Sequence, residues 1–262
     1  MIQQRIDELV KLGSEIIGPR ISEGHCVFCG NEVEKGGYCY CKKAEKINHK
    51  VKKIRKLIDK YAYADDLKEF TRLQIVDANF PKKFAGMDFD DYITETDEQA
   101  YNLQITKKYA ANALEHYLNS TNLIFVGHFG NGKTMLMSVA GDEIIRNFGI
   151  PIKYVNVYDL AENVKKTFDN KNLSTSKVID SYKKAPILIL DDIDKVNPSP
   201  FMIDLMYGIS NYRGDNKLPT WINANHSMEE LESKFYGEGA MSRFFENSIK
   251  AKFTGINWRL RV

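Results

Sequence analysis

The 262 residues contain no run of eighteen apolar side chains, so no segment reads as a membrane-spanning helix. The opening MIQQRIDELV lacks the apolar core of a secretory signal. Net charge is scarce as well: 37 Lys and Arg stand against 35 Asp and Glu, leaving +2. No field of one sign draws the whole molecule to nucleic acid or lipid, and any such attraction has to be local. Cysteine is missing everywhere except one short stretch, where all four lie between 26 and 41. Such clustering suits a metal site in a reducing compartment better than a disulfide framework. These absences point to a cytoplasmic protein with no membrane contact. Repeats and low-complexity tracts are also lacking. A hydrophobic content of 43% with 27% charged residues is that of an ordinary globular chain able to bury a core.

Ile2, Ile6, Leu9 and Val10 form a short apolar face, and Gly13 is the expected end of a first helix. After the cysteine segment, Ile47, Val51, Ile54, Ile58 and Tyr61 recur by threes and fours, which marks an amphipathic helix. Nine Lys and Arg against Glu45 and Asp59 between positions 42 and 60 give that helix a basic outer surface. Pro81 biases Asn79 and Phe80 away from helix, so Asp77–Phe84 reads as extended. Asp88–Glu98 holds six acidic residues and reads as a solvated loop and helix start. The expected division is a small helical unit over 1–70, a linker over 71–95 and a larger unit over 96–262.

From Gln99 onward helix and strand patterns alternate. A helix through Tyr117 precedes the apolar run Asn122–Val126, and a second helix spans Lys133 to about Asn147. Ile152–Val157 alternates as a strand, Leu160–Phe168 reads as a helix, and Ile187–Leu190 reads as a buried strand. Strands separated by helices imply an α/β fold with a parallel sheet flanked by helices.

Between the first of these strands and its helix lies Gly127-His128-Phe129-Gly130-Asn131-Gly132-Lys133-Thr134, a match to G-x-x-x-x-G-K-[ST]. Glycines let backbone N–H groups converge on phosphate oxygens, and the helix N-terminus adds a favourable dipole. Lys133 is placed to reach the terminal phosphates, and the Thr134 hydroxyl to ligate magnesium. Asp191 and Asp192 follow the apolar strand directly, at the carboxyl end where parallel sheets bind ligands. Asp191 fits a magnesium-holding carboxylate, leaving Asp192 to orient and polarise an attacking water. The site implied is one for ATP with Mg2+.

Cys26-x-x-Cys29 and Cys39-x-Cys41 supply four thiolates, enough for one tetrahedral Zn2+. Gly30, Gly36 and Gly37 provide the turns such a site needs. The tight Cys39-x-Cys41 spacing leaves His25 open as a replacement ligand.

Several segments together resemble the AAA+ ATPases and, within them, replicative helicase loaders of the DnaC and DnaI type. They are NFPKKFAGMDFDDY, GHFGNGKTML, LILDDID, LPTWINANHS, GAMSRFF and GINWRLRV, spread over most of the chain. The resemblance implies an AAA+ P-loop ATPase domain preceded by a small helical zinc-binding domain. It implies sensor-1 placement of Asn225, with Asn223 as the alternative register. It makes Arg243 an arginine finger acting on a neighbouring subunit, and Arg259 a C-terminal arginine near the nucleotide. Asp192 stands where most of the superfamily has glutamate, and its shorter reach implies slow hydrolysis. By the same resemblance residues 1–70 recognise a hexameric replicative DNA helicase, and the whole acts on single-stranded DNA after ATP-dependent self-assembly.

The basic helix offers another use, contact with single-stranded DNA, with Tyr38, Tyr40, Tyr61 and Tyr63 as stacking platforms. Two other functions compete with helicase loading. A transposition helper ATPase of the IstB type shares the ATPase motifs and binds duplex DNA, and an ATP-gated binding module would use nucleotide only to select a conformation. The cysteine cluster favours the loader.

Overall fold

The computed structural model describes residues 2–17, 21, 22, 25, 26, 29, 31–33, 41–62, 67–168, 170, 173–195, 197–255, 257 and 258. Cys39, Tyr38, Tyr40, Tyr63 and Arg259 lie outside the described residues, as does the side chain of Tyr61. Two compact units divide the chain, Met1–Phe70 and Thr71–Val262. No helix among the described residues is long and apolar enough to cross a membrane.

In the smaller unit, α1 (Ile2–Ile17) packs on α2 (Lys42–Ala62). Leu9, Ile54 and Leu57 are buried. The apolar stripe of α2 thus runs through Leu57 as well as the expected Ile54. Gly13 does not end α1, which continues for another turn. The residue is buried with a methyl of Ile54 3.6 Å from the position a Cβ would take, so packing offsets the roughly 1 kcal/mol a helical glycine costs. Between the helices β1 (Ile21–Ser22) and β2 (His25–Cys26) form a short antiparallel pair.

The larger unit begins within α3 (Leu67–Ala78), which is followed by 3-10 turns at Lys82–Phe84 and Phe89–Asp91. The expectation of an extended 77–84 is corrected: helix reaches Ala78, and Pro81 caps the first turn. The stretch 71–95 is likewise no open linker. Phe89 and Tyr92 are buried, and the ring of Phe80 lies against Gly141. Next come α4 (Asp97–Ala111), α5 (Ala113–Asn119), β3 (Asn122–Gly127), α6 (Lys133–Phe148), β4 (Ile152–Asn156) and α7 (Val157–Lys165). They are followed by α8 (Thr175–Lys183), β5 (Ile187–Asp191), α9 (Pro200–Asp215) and β6 (Thr220–Ala224). A short α10 (Met228–Glu230) runs into a π-helical turn, and α11 (Glu238–Phe245) and β7 (Ser248–Phe253) complete the order. Acidic residues fall where the N-termini want them: Asp88 caps the second 3-10 turn, and Asp97 and Glu98 stand in the first turn of α4, which Thr96 and Gln99 close with a capping box.

All five strands of this unit are parallel, in the order β4-β5-β6-β3-β7. Leu188, Leu190, Ile222 and Ala224 share one apolar cluster with residues of α7, α8, α9 and α11. The period of two sends Ile189, Trp221 and Asn223 to the opposite face. Both faces are therefore covered, as a parallel sheet requires. This strand order sets the carboxyl ends of β3, β6 and β5 side by side, bringing three sequence-distant segments to one place.

Candidate functional site

The turn after β3 is shaped by close approach. Gly127 has φ 134°, and a Cβ there would collide with the carbonyl oxygen of Phe253 on β7. Gly132 caps α6 in the left-handed region at φ 90°, with the Tyr92 ring filling the space a side chain would need. Asn131 is buried, and its Nδ2 donates to Phe253 O at 2.9 Å. His128 N donates to the same carbonyl at 3.1 Å, and Trp258 N donates to Gly130 O at 2.9 Å. Phe129 is exposed at the tip. The Tyr92 hydroxyl donates to Asn131 O at 3.2 Å; burial, with Glu98 adding, pushes its pKa up to about 12.

Lys133 opens α6 and is buried. Its Nζ donates to Gly127 O and His128 O, both at 2.6 Å, to Asn131 Oδ1 at 3.2 Å and to Asn225 Oδ1 at 3.3 Å. One residue on, the Thr134 hydroxyl lies 3.1 and 3.2 Å from the two carboxylate oxygens of Asp191. Asp191 is buried, and burial pushes its carboxyl above the ordinary range while bonds from Tyr154, Asn223 and Thr134 pull it back. Asn223 Nδ2 donates to Thr134 Oγ1 at 3.0 Å and also to Asp191 Oδ1. The carboxylate can only accept, which fixes the orientation of this amide, and its buried Oδ1 has no partner among the described residues. A hydroxyl and a carboxylate this close are hard oxygen donors of the kind Mg2+ takes, so the residues fit that ion.

Asp192 accepts from Asn156 Nδ2 at 3.3 Å and pairs with Lys195 at 3.4 Å. It sits in the left-handed region at φ 51°. Asn225 is anchored from behind, since its N donates to Asp194 Oδ2 at 2.7 Å and its Nδ2 to Asp194 Oδ1 at 3.2 Å. His226 Nδ1 lies 2.6 Å from the same fully buried carboxylate. A pocket of about 460 Å³ results, lined by Lys133, Thr134, Asp192, Asn223 and Asn225, with Tyr92, Phe129 and Trp258 also on its walls. Charged and amide groups share the walls with aromatic rings, the mixture a nucleotide calls for.

The fold brings Gly127–Thr134, Asp191, Asp192, Asn223 and Asn225 together. Arg243 is not among the pocket residues; its Nη1 pairs with Asp215 at 3.1 Å on the surface. Sequence reasoning missed Tyr154, Asn156, Asp194, Tyr92 and Trp258. Polar groups two residues apart at the carboxyl end of β4 were the available signal for the first two.

In the smaller unit, the sulfur atoms of Cys26, Cys29 and Cys41 lie within 4.8 Å of one another. Cys26 and Cys41 are 3.9 Å apart, near the roughly 3.8 Å that two thiolates at 2.3 Å from a tetrahedral zinc would span. The donor set fits that ion, with Cys39 outside the described residues and His25 beside Cys26 on β2.

The model of the family described as IstB-like ATP binding protein matches residues 45–245, well over half of the chain. The chain belongs to this family. Curated relatives of this IstB-like protein include the replicative helicase loader DnaC of Escherichia coli (strain K12). That relative is 27% identical over 175 residues, covering 66% of this chain and 69% of its own. The crystal structure of the DnaC helicase loader superposes with a TM-score of 0.60 at 24% identity, over 66% of this chain and 100% of that one. That of DnaI gives 0.57 at 22% identity, over 67% and 95%. Both the AAA+ sheet and the loader-type resemblance read from the sequence are borne out.

Proposed function

We propose that this IstB-like protein is an ATP-dependent loader that places a hexameric replicative helicase on single-stranded DNA during replication initiation. One observation carries the reading: Lys133, Thr134, Asp192, Asn223 and Asn225 line one pocket, with Asp191 bonded to Thr134, in a chain whose relatives include named helicase loaders. Lys133 pairs with the terminal phosphates, exchanging its loop carbonyls for phosphate oxygens. Thr134 and Asp191 would hold Mg2+, whose charge would offset that of those oxygens. Asp192 and Asn225 orient the attacking water, Asn223 supports Asp191, and Arg243 and Arg259 complete the site, Arg243 from a neighbouring subunit. Hydrolysis is slow and is stimulated by DNA or helicase. Residues 1–70 form a zinc-bearing domain that binds the helicase, and 96–262 hold the ATPase core.

The three-thiol cluster favours this reading over an IstB-type transposition helper. To test it, a hexameric replicative helicase is mixed with circular single-stranded DNA, ATP and this protein, and helicase recovered on the circles is measured. Recovery that rises with protein and ATP is expected. Recovery unchanged by the protein would overturn it, tight preference for duplex DNA would favour the transposition reading, and binding without turnover would favour the ATP-gated module.

A further inference from the structure

We propose that Tyr154 is a positioning residue for Asp191: its hydroxyl holds the carboxylate in the orientation that a divalent cation requires. The inference rests on the reading of the pocket as a magnesium–ATP site. Tyr154 lies on β4, which pairs in parallel with β5 so that Tyr154 stands beside Ile189 and Asn156 beside Asp191. Asp191 is therefore two residues farther along the neighbouring strand, about 6.6 Å in rise. A tyrosine side chain is long enough to cover that offset, whereas the amide of Asn156 meets Asp192 instead. The phenol donates to Asp191 Oδ2.

Each carboxylate oxygen is thereby held by a group that is not itself a metal ligand. Oδ2 is held by Tyr154 from β4, and Oδ1 by the Asn223 amide from β6. When the Thr134 oxygen and a lone pair of Asp191 turn to a cation, these two donors remain and keep the carboxylate from rotating. The ring of Tyr154 is itself wedged: it is 8% exposed, with the Phe80 ring 6.2 Å away at 60°. Packing alone would be served equally by phenylalanine. A buried hydroxyl is costly unless bonded, and here its bond goes to the carboxylate.

Tyr154→Phe keeps the ring and removes only the donor. Mn2+ is a suitable probe, its binding to the protein–ATP complex read from the paramagnetic signal of the free ion. A labelled ATP analogue in EDTA reports nucleotide affinity without metal. Tyr154→Phe is expected to weaken Mn2+ binding about 10- to 100-fold, the usual effect of losing a group that orients a metal ligand. Metal-free nucleotide affinity should stay within twofold. In an Asp191→Asn background the same change should have no further effect on Mn2+, because the group it orients is gone. Mn2+ affinity within twofold of wild type overturns the proposal, as does an equal fall in metal-free nucleotide binding, which marks a general packing role. If the wild-type chain binds neither ATP nor Mn2+–ATP, the reading of the pocket fails first and this inference with it.

Discussion

Lys133 Nζ lies 3.3 Å from Asn225 Oδ1, so the cation of the phosphate loop is already joined to the end of β6. Lys133→Ala removes a charged donor that would otherwise meet two phosphates. With about 1.5–3 kcal/mol for a hydrogen bond to a charged group, ATP affinity should fall at least about a hundredfold. The fold should survive, and titration with a fluorescent nucleotide alongside circular dichroism checks both. A folded variant that binds ATP as wild type does would remove the assignment.

Asn225→Ala should separate binding from turnover. Its side chain bonds Lys133 on one side and Asp194 on the other. Nucleotide affinity should change only a few-fold, while hydrolysis under assembling conditions falls by about ten- to a hundredfold, as for loss of a group that orients the attacking water. Measuring Kd and kcat on the same preparation decides it. An unchanged kcat would pass the role to Asn223.

For the cysteine cluster we expect about one zinc per chain by elemental analysis, released by thiol-modifying reagents. Metal affinity that depends on folded thiolates is folding energy for the unit that supplies them. Helicity in residues 1–70 should therefore fall on release while ATP binding persists. Protein purified without chelators and found free of zinc would count decisively against the site.

Arg243 meets Asp215 at the surface, an exposed pair worth roughly 0–1 kcal/mol. So weak a tie is readily exchanged for a phosphate on another subunit. Chains carrying Arg243→Ala would be mixed with chains carrying Lys133→Ala, since only the mixture assembles a complete site from two defective ones. Recovered hydrolysis is expected. If Arg243→Ala alone hydrolyses ATP at the wild-type rate under assembling conditions, the residue is not a finger.

Stability should hinge on Arg213, which is fully buried. Its guanidinium donates to Thr220 Oγ1 at 2.8 Å and to the carbonyls of Tyr182 at 3.1 Å, Ala185 at 2.8 Å and Pro219. The fork ties the end of α8 to α9 and to the start of β6. Arg213→Met strands those carbonyls away from water, and about 3–5 kcal/mol of stability should be lost. Arg213→Lys should recover little of it, because three donors on a flexible stem cannot copy the planar fork. Urea unfolding midpoints measure both.

Local chemistry was readable in the sequence and pairing was not. Gly127–Thr134 and Asp191 are legible because glycine, lysine and carboxylate must fall at set spacings beside a strand end. Tyr154 escaped because its role depends on β4 lying next to β5: the polar pair Tyr154 and Asn156 marks a strand end, but not which strand stands beside it. Phe80 escaped for a similar reason: Pro81 forecasts an irregular backbone, but Gly141, which receives the ring, is sixty-one positions away. Gly13 misled because a helix-breaking preference of about 1 kcal/mol is smaller than the packing of α1 on α2.

The carbonyl of Phe253 accepts from both Asn131 Nδ2 and His128 N, across 122 residues in the first case. The ribosome makes the glycine-rich loop long before it makes β7. A nascent chain that has reached only β6 carries the whole motif but not the acceptor that shapes it. The hydrogen bonds that shape the loop are therefore complete only once β7 has joined the sheet.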